Sequence, residues 1–163
     1  MELFPHMTAM MKVSQEPRTF IAARTIGAGI QNLLFADPRS VQDVEECVKA
    51  TRSECPGQSR GQGIHGVGMQ RDVGVVLEGG TPAWVQAQND AVCAIMIEKK
   101  QAVDDIEQLL AVPGVDMIQF GATDCEHRCR QRALACTLAV AAAMAMPSAR
   151  PCIRPQRPVN ASS

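Results

Sequence analysis

Hydrophobic positions along the chain fall into short continuous runs separated by stretches with helical spacing. The first run is Thr8 to Val13, and the second, Ile30 to Ala36, carries Gln31 and Asn32 near its start. Further runs cover Ala91 to Ile97 and Val115 to Phe120. Runs apolar on both faces predict strands buried on both sides, as in parallel sheets, because alternation is expected only where one face meets water. Between them, Thr19 to Ile26 reads as a helix that stops at Gly27 and Gly29. Ser40 opens another, with Asp43 at capping-box spacing and Val41, Val44, Cys47 and Val48 on one face. Gln101 to Val112 gives a further helix with Val103, Ile106, Leu109 and Leu110 inward. Strands alternating with amphipathic helices predict an α/β fold with a parallel sheet. The Gly-rich, polar stretch from Cys55 to Gly80 reads as one long excursion, and an excursion of that length in a compact domain is usually functional.

Composition narrows the function classes. With 163 residues, 46% hydrophobic and 20% charged, the chain has room for one globular core. Aromatics are 3%, too few to build a base-stacking surface, so nucleic acid is not an expected partner. The longest apolar run, Ala133 to Met146, is interrupted by Thr137 and falls short of the roughly 20 residues a spanning helix needs. No membrane anchor is expected. The amino terminus has no basic-then-apolar signal, and the 7 cysteines are an odd count. Reduced thiols and a cytoplasmic location are the expectation.

The overall charge of −1 conceals two compositions. Residues 1–124 hold 10 Lys and Arg against 16 Asp and Glu, whereas residues 125–163 hold 6 Arg, no Lys and one Glu. The chain is therefore read as a body, 1–124, and an Arg/Ala/Pro/Cys-rich tail, 125–163, for which no periodicity predicts a fold. A metal site built from Cys125, His127, Cys129 and Cys136 lacks the paired Cys-x2-Cys halves of structural zinc motifs and is not favoured.

Candidate chemistry sits at strand ends. Glu98 closes one buried strand, and Asp124 follows the next after Gly121. In a parallel α/β barrel both would project at the C-terminal rim, where catalytic groups collect. Two rim carboxylates suit Mg²⁺, which keeps water and substrate oxygens in its other positions. On spacing alone, carboxylates that cap the following helices or are simply solvated remain the commoner arrangement. His65 lies in the long excursion, with Arg60 and Arg71 nearby, as a candidate proton carrier, against the plainer reading of a solvated loop.

The segments Asn89-Asp90, Met96-Ile97-Glu98-Lys99, Ile106 through Asp116 with its Val112-Pro113-Gly114-Val115-Asp116 turn, and Phe120-Gly121-Ala122-Thr123-Asp124 together resemble the HpcH/HpaI aldolase family. That family has an Ile-Glu strand end, a helix, a Val-x-Gly-Val-Asp turn, a strand and Gly-Pro-x-Asp. Gly27 through Phe35 and the helix from Val44 to Arg52 are also similar, so the resemblance covers about residues 8 to 124. It implies part of a (β/α)8 TIM barrel, about strands three to six, followed by a tail that does not match. It also implies a lyase that makes or breaks a carbon–carbon bond of a 2-keto acid with an aldehyde, through a pyruvate enolate.

By the same resemblance Glu98 and Asp124 are the metal ligands, for Mg²⁺, Mn²⁺ or Co²⁺. Ala122 and Thr123 supply backbone amides to the substrate carboxylate. Lys12 stands nearest to the family's Arg that holds the pyruvate oxygen, and Met96 replaces a common Gln. The family's catalytic His precedes the matched region, and its last two strands follow it. After Asp124 the family continues Ser, apolar, Gly. Codons GAG-CAT-CGG for Glu126-His127-Arg128, read one base later, encode Ser-Ile-Gly, so a changed reading frame is expected to account for the tail. The alternative to an aldolase is an inactive truncated product of one. Family members form homo-oligomers through a swapped carboxyl-terminal helix, which this tail does not match.

Overall fold

A computed structural model of the chain describes residues 8–54, 62–66 and 79–121. Four strands, β1 (Met10–Val13), β2 (Asn32–Phe35), β3 (Val92–Ile97) and β4 (Met117–Phe120), form one sheet. Helix α1 (Arg18–Gly27) joins β1 to β2, and α2 (Val41–Lys49) and α3 (Pro82–Asn89) lie between β2 and β3. Two short helices, α4 (Lys100–Asp104) and α5 (Ile106–Leu110), lead into β4.

Every strand pairs in parallel with the next one in sequence, with Val13 opposite Phe35, Leu33 opposite Cys93 and Ile97 opposite Phe120. The sheet order β1-β2-β3-β4 never reverses. A doubly wound sheet changes direction and places helices on both faces, whereas a barrel winds one way with its helices outside. The core shows the second arrangement. Val13, Leu33, Phe35, Cys93, Ile95 and Ile97 pack with Ala22, Ile26, Val44, Cys47, Val48 and Leu109 from the helices in one large cluster. The alternate positions Leu34, Ala94 and Met96 form a small separate cluster on the other face. The chain is thus an α/β unit with the winding of a (β/α)8 barrel segment.

Local chemistry explains the helix ends. The Ser40 hydroxyl accepts from the Asp43 N–H, and the Asp43 carboxylate accepts from the Ser40 N–H, closing a reciprocal capping box at α2. Thr81 caps α3, with Pro82 at the first helical position, where its missing N–H costs nothing. The helix expected over Gln101 to Val112 is instead two pieces, broken at Asp105 with φ −102° and ψ 15°. Ile106 and Leu109 still turn inward. β4 was expected to be buried, but its residues alternate between exposed and half-buried. Among the described residues it borders only β3, so one side of it and one face stay open.

The N-terminal edge of the sheet is held by Arg52, whose side chain is fully buried. It donates to the carbonyl oxygens of Ala91 and Gly114, which precede β3 and β4, and to the Asp116 carboxylate. Residues 62–66 come back against this edge: Gly63 N–H donates to Ser53 O, and His65 N–H to Arg52 O. A Cβ on Gly63 would stand 1.8 Å from Arg52 O, so only glycine permits that approach.

Candidate active site

Because the strands are parallel and in sequence order, their C-terminal ends open on one edge, and each end contributes one residue there. Lys12 is the next-to-last residue of β1, Asp37 lies two past β2, and Glu98 and Gly121 directly follow β3 and β4. Glu98 is 8% exposed, an uncommon position for a carboxylate unless it is paired. Its Oε2 accepts a hydrogen bond from the Asp37 N–H at 3.1 Å. Its Oε1 stands 3.6 Å from Lys12 Nζ, on a side chain that is 56% exposed.

Asp37 was not singled out in the sequence. It has φ 57°, in the left-handed region that Asp tolerates better than most residues. Its Oδ2 accepts from Arg39 Nη2 at 2.8 Å, and its Oδ1 is 3.6 Å from Lys99 Nζ. Oδ1 is sealed from solvent and has no hydrogen-bond donor. The hydrogen bond and the negative charge of Asp37 hold the Arg39 guanidinium above its ordinary pKa. The signal that would have found Asp37 is the one that found Glu98: a carboxylate just beyond a buried strand.

Gly121 fixes where Glu98 lies. Its N–H donates to Ile97 O at 2.9 Å, extending the β3–β4 ladder by one step. A Cβ on it would meet Glu98 Cγ at 2.6 Å. Glycine leaves the room that the Glu98 side chain occupies across the end of β4. Ala122, Thr123 and Asp124 lie outside the described residues, as do Arg60, Arg71 and the tail cysteines.

His65 is not brought to this rim. Its ring Nε2 meets Ala50 O, and its backbone pairs with Ser53, beside the Arg52 staple at the N-terminal edge. β3 runs between that edge and Glu98, and six strand residues at about 3.3 Å each separate the two by roughly 20 Å. The expectation of a rim proton carrier is corrected accordingly: residues 62–66 lie at the opposite end of the sheet. His65→Asn is expected to leave cation affinity unchanged and to lower the thermal midpoint, because Ala50 O loses a buried partner worth about 1 kcal/mol. A calorimetric titration beside a melting curve checks both.

The donors at the rim are hard carboxylate oxygens. The described cysteines, Cys47 and Cys93, are buried, and burial pushes the Cys47 thiol far up, so it is neither thiolate nor ligand. A half-enclosed carboxylate with one oxygen already oriented fits a hard divalent cation better than zinc or copper. Among the described residues no three His, Cys, Asp or Glu side chains converge, and the carboxylates at this rim are Glu98 and Asp37. No described helix is long and apolar enough to cross a membrane.

The arrangement defines a class, a singly wound parallel α/β segment with a charged site across the C-terminal ends of its strands. Comparison with known proteins agrees on the fold. The family described as HpcH/HpaI aldolase/citrate lyase matches residues 4–150, and the chain belongs to that family. A 4-hydroxy-2-oxovalerate aldolase of Novosphingobium aromaticivorans is 30% identical over 124 residues, 76% of this chain and 44% of that protein. A hydroxypyruvate/pyruvate aldolase of Paraburkholderia phytofirmans is 26% identical over 113 residues, 64% of this chain and 39% of that protein. In fold, the chain is similar to the crystal structure of an HpcH/HpaI aldolase/citrate lyase family protein from Burkholderia cenocepacia, with TM-score 0.69 and 23% identity. That match covers 83% of this chain and 54% of the other. The chain therefore spans about half the length of the relatives it matches.

Proposed function

We propose that the chain carries the cation-binding rim of a lyase that makes or breaks a carbon–carbon bond next to a 2-keto acid. The observation that supports this best is Glu98: a nearly buried carboxylate at a strand end, with one oxygen oriented by a backbone N–H and its path kept clear by Gly121. Glu98 and Asp124 hold the cation, Mg²⁺, Mn²⁺ or Co²⁺. When bound, such an ion supplies Lewis-acid polarisation of the keto acid's oxygens. Lys12 brings a solvent-accessible ammonium beside Glu98, where it meets the substrate oxygen on which negative charge develops as the bond breaks. As a point charge it attracts that oxygen without the two-pronged alignment an Arg would give. The backbone amides of Ala122 and Thr123 receive the substrate carboxylate. The substrates are a 2-keto acid and an aldehyde, and the names of the relatives make 4-hydroxy-2-oxo acids and pyruvate the first to assay.

A second reading, a chain that binds cation and keto acid without turning them over, is favoured by the position of His65. The one described histidine is at the wrong edge to carry a proton, and a positioned general base is worth roughly 10²- to 10⁴-fold in rate. One experiment separates the readings. Release of pyruvate from 4-hydroxy-2-oxovalerate is followed with each metal and with chelator. Turnover that needs metal supports the lyase. Metal-dependent pyruvate binding without turnover supports the second reading, and neither activity nor binding would sink both.

A further inference from the structure

Asp37 is the rim group for which the proposed chemistry has no use, yet it is the most constrained. It touches three of its neighbours at once: Glu98 through its backbone N–H, and Arg39 and Lys99 through its two carboxylate oxygens. A left-handed non-glycine residue persists only where its surroundings over-determine it, and such residues gather at working sites. Here the surroundings are visible. Ala36 N–H donates to Val13 O just before Asp37, and the fully buried Pro38 follows it.

The charges at the rim give the conformation a purpose. Lys12 already stands beside Glu98 Oε1, and Lys99 is the next residue along the chain. Without the Asp37 carboxylate, Lys99 and Arg39 would each lose a counter-charge, leaving Glu98 to balance more of the positive charge at this edge. A divalent cation would then have to displace ammonium and guanidinium groups from its own ligand. With Asp37 in place, two of those three cations are engaged elsewhere.

We propose that Asp37 is a positioning residue for the cation site, aiming Glu98 with its N–H while its carboxylate draws Lys99 and Arg39 away from Glu98. This rests on the reading of Glu98 as a cation ligand. It goes beyond that reading by assigning the rim's charge balance to one residue. Two functions are carried by two parts of Asp37, so they respond differently to substitution. Asp37→Asn keeps the N–H and tolerates the left-handed backbone but releases both cations.

The test is titration of Mn²⁺ alone into the full chain, read by calorimetry and by loss of the free-ion paramagnetic resonance signal, with a melting curve for every variant. Asp37→Asn is expected to weaken Mn²⁺ about tenfold, the range typical of groups that support a metal ligand. Adding Lys99→Gln to Asp37→Asn is expected to restore most of the loss, which no merely structural role would do. Lys99→Gln alone is expected to tighten Mn²⁺ roughly threefold, since Asp37 then adds unbalanced negative charge. This variant carries the test if Asp37→Asn does not fold.

An Asp37→Asn affinity within about twofold of the unsubstituted chain overturns the proposal, as does a loss that Lys99→Gln fails to repair or a lone Lys99→Gln that does not tighten binding. Glu98→Gln separates the two levels. If it abolishes Mn²⁺ binding while the Asp37 arms fail, the cation site stands and the role of Asp37 falls. If Glu98→Gln binds Mn²⁺ unchanged, or the unsubstituted chain binds none, the cation site itself is wrong and Asp37 falls with it.

Discussion

Arg52→Met is expected to cost about 3 to 5 kcal/mol of folding stability, the range for breaking a buried, hydrogen-bonded ion pair from one side. The side chain has no solvent exposure, and its guanidinium reaches three acceptors on two different loops. Methionine fills much of the same space but leaves the buried Ala91 O and the part-buried Gly114 O without that donor. Asp116 keeps one partner, because its Oδ2 also accepts from the Cys93 N–H at 2.9 Å. Burial pulls the Arg52 guanidinium below its ordinary pKa, a desolvation cost that its acceptors offset. The gain is the tying of the entry to β3 and the entry to β4 to the end of α2. Arg52→Lys is expected to recover only part of the loss, since a single ammonium replaces a planar fork that serves three oxygens. Urea denaturation with the slope held constant measures both. A loss under about 1 kcal/mol for Arg52→Met would show that the staple is dispensable.

How legible all this was depends on which signals are local. β2, α2 and β3 were readable because a capping box, a one-sided apolar stripe and a six-residue apolar run are each complete within their own segment. Glu98 was readable for the same reason, as the first charge after a buried run. Helix α3 went unread because its apolar face is weak, although Thr81-Pro82 is a start signal that stood in plain view. The break at Asp105 was not legible, since the hydrophobic spacing from Val103 through Leu110 continues across it. The exposure of β4 depends on its neighbours, which no single segment records.

His65 failed for a topological reason. Gly-rich sequence says that a segment leaves the core but not which end of the sheet it returns to, and here Gly63 can press against Arg52 only at the far edge. Asp37 was missed because Asp-Pro reads first as a turn, and its bond to Glu98 joins residues 61 apart. Family resemblance pointed to Glu98 and to the lyase class, while the charges around Glu98 come from residues distant in sequence.

Glu98→Gln is expected to lower any metal-dependent lyase rate by at least about 10²- to 10³-fold, the loss typical when a pre-aimed electrostatic group is removed from a site that stabilises developing charge. Glutamine keeps the shape and can still accept from the Asp37 N–H, so the backbone around Asp37 holds. What it removes is the anion. Stability should barely change: the Lys12–Glu98 pair is half-exposed on the lysine side, so its contribution is within about 1 kcal/mol, and losing a nearly buried charge offsets part of that. A rate that collapses while the melting curve stays in place is the signature of a residue kept for chemistry rather than for folding. Gly121→Ala should give a graded version of the same result. Its methyl group would stand 2.6 Å from Glu98 Cγ, too near the backbone for the carboxylate to stay put while the stem moves aside. The anion would remain but its aim would shift, so a loss smaller than that of Glu98→Gln is expected, with Mn²⁺ affinity falling in step. If Gly121→Ala leaves both rate and affinity unaltered, the clearance at the end of β4 has no bearing on the site. If Glu98→Gln leaves the rate unaltered, the rim carboxylate is not where the chemistry happens.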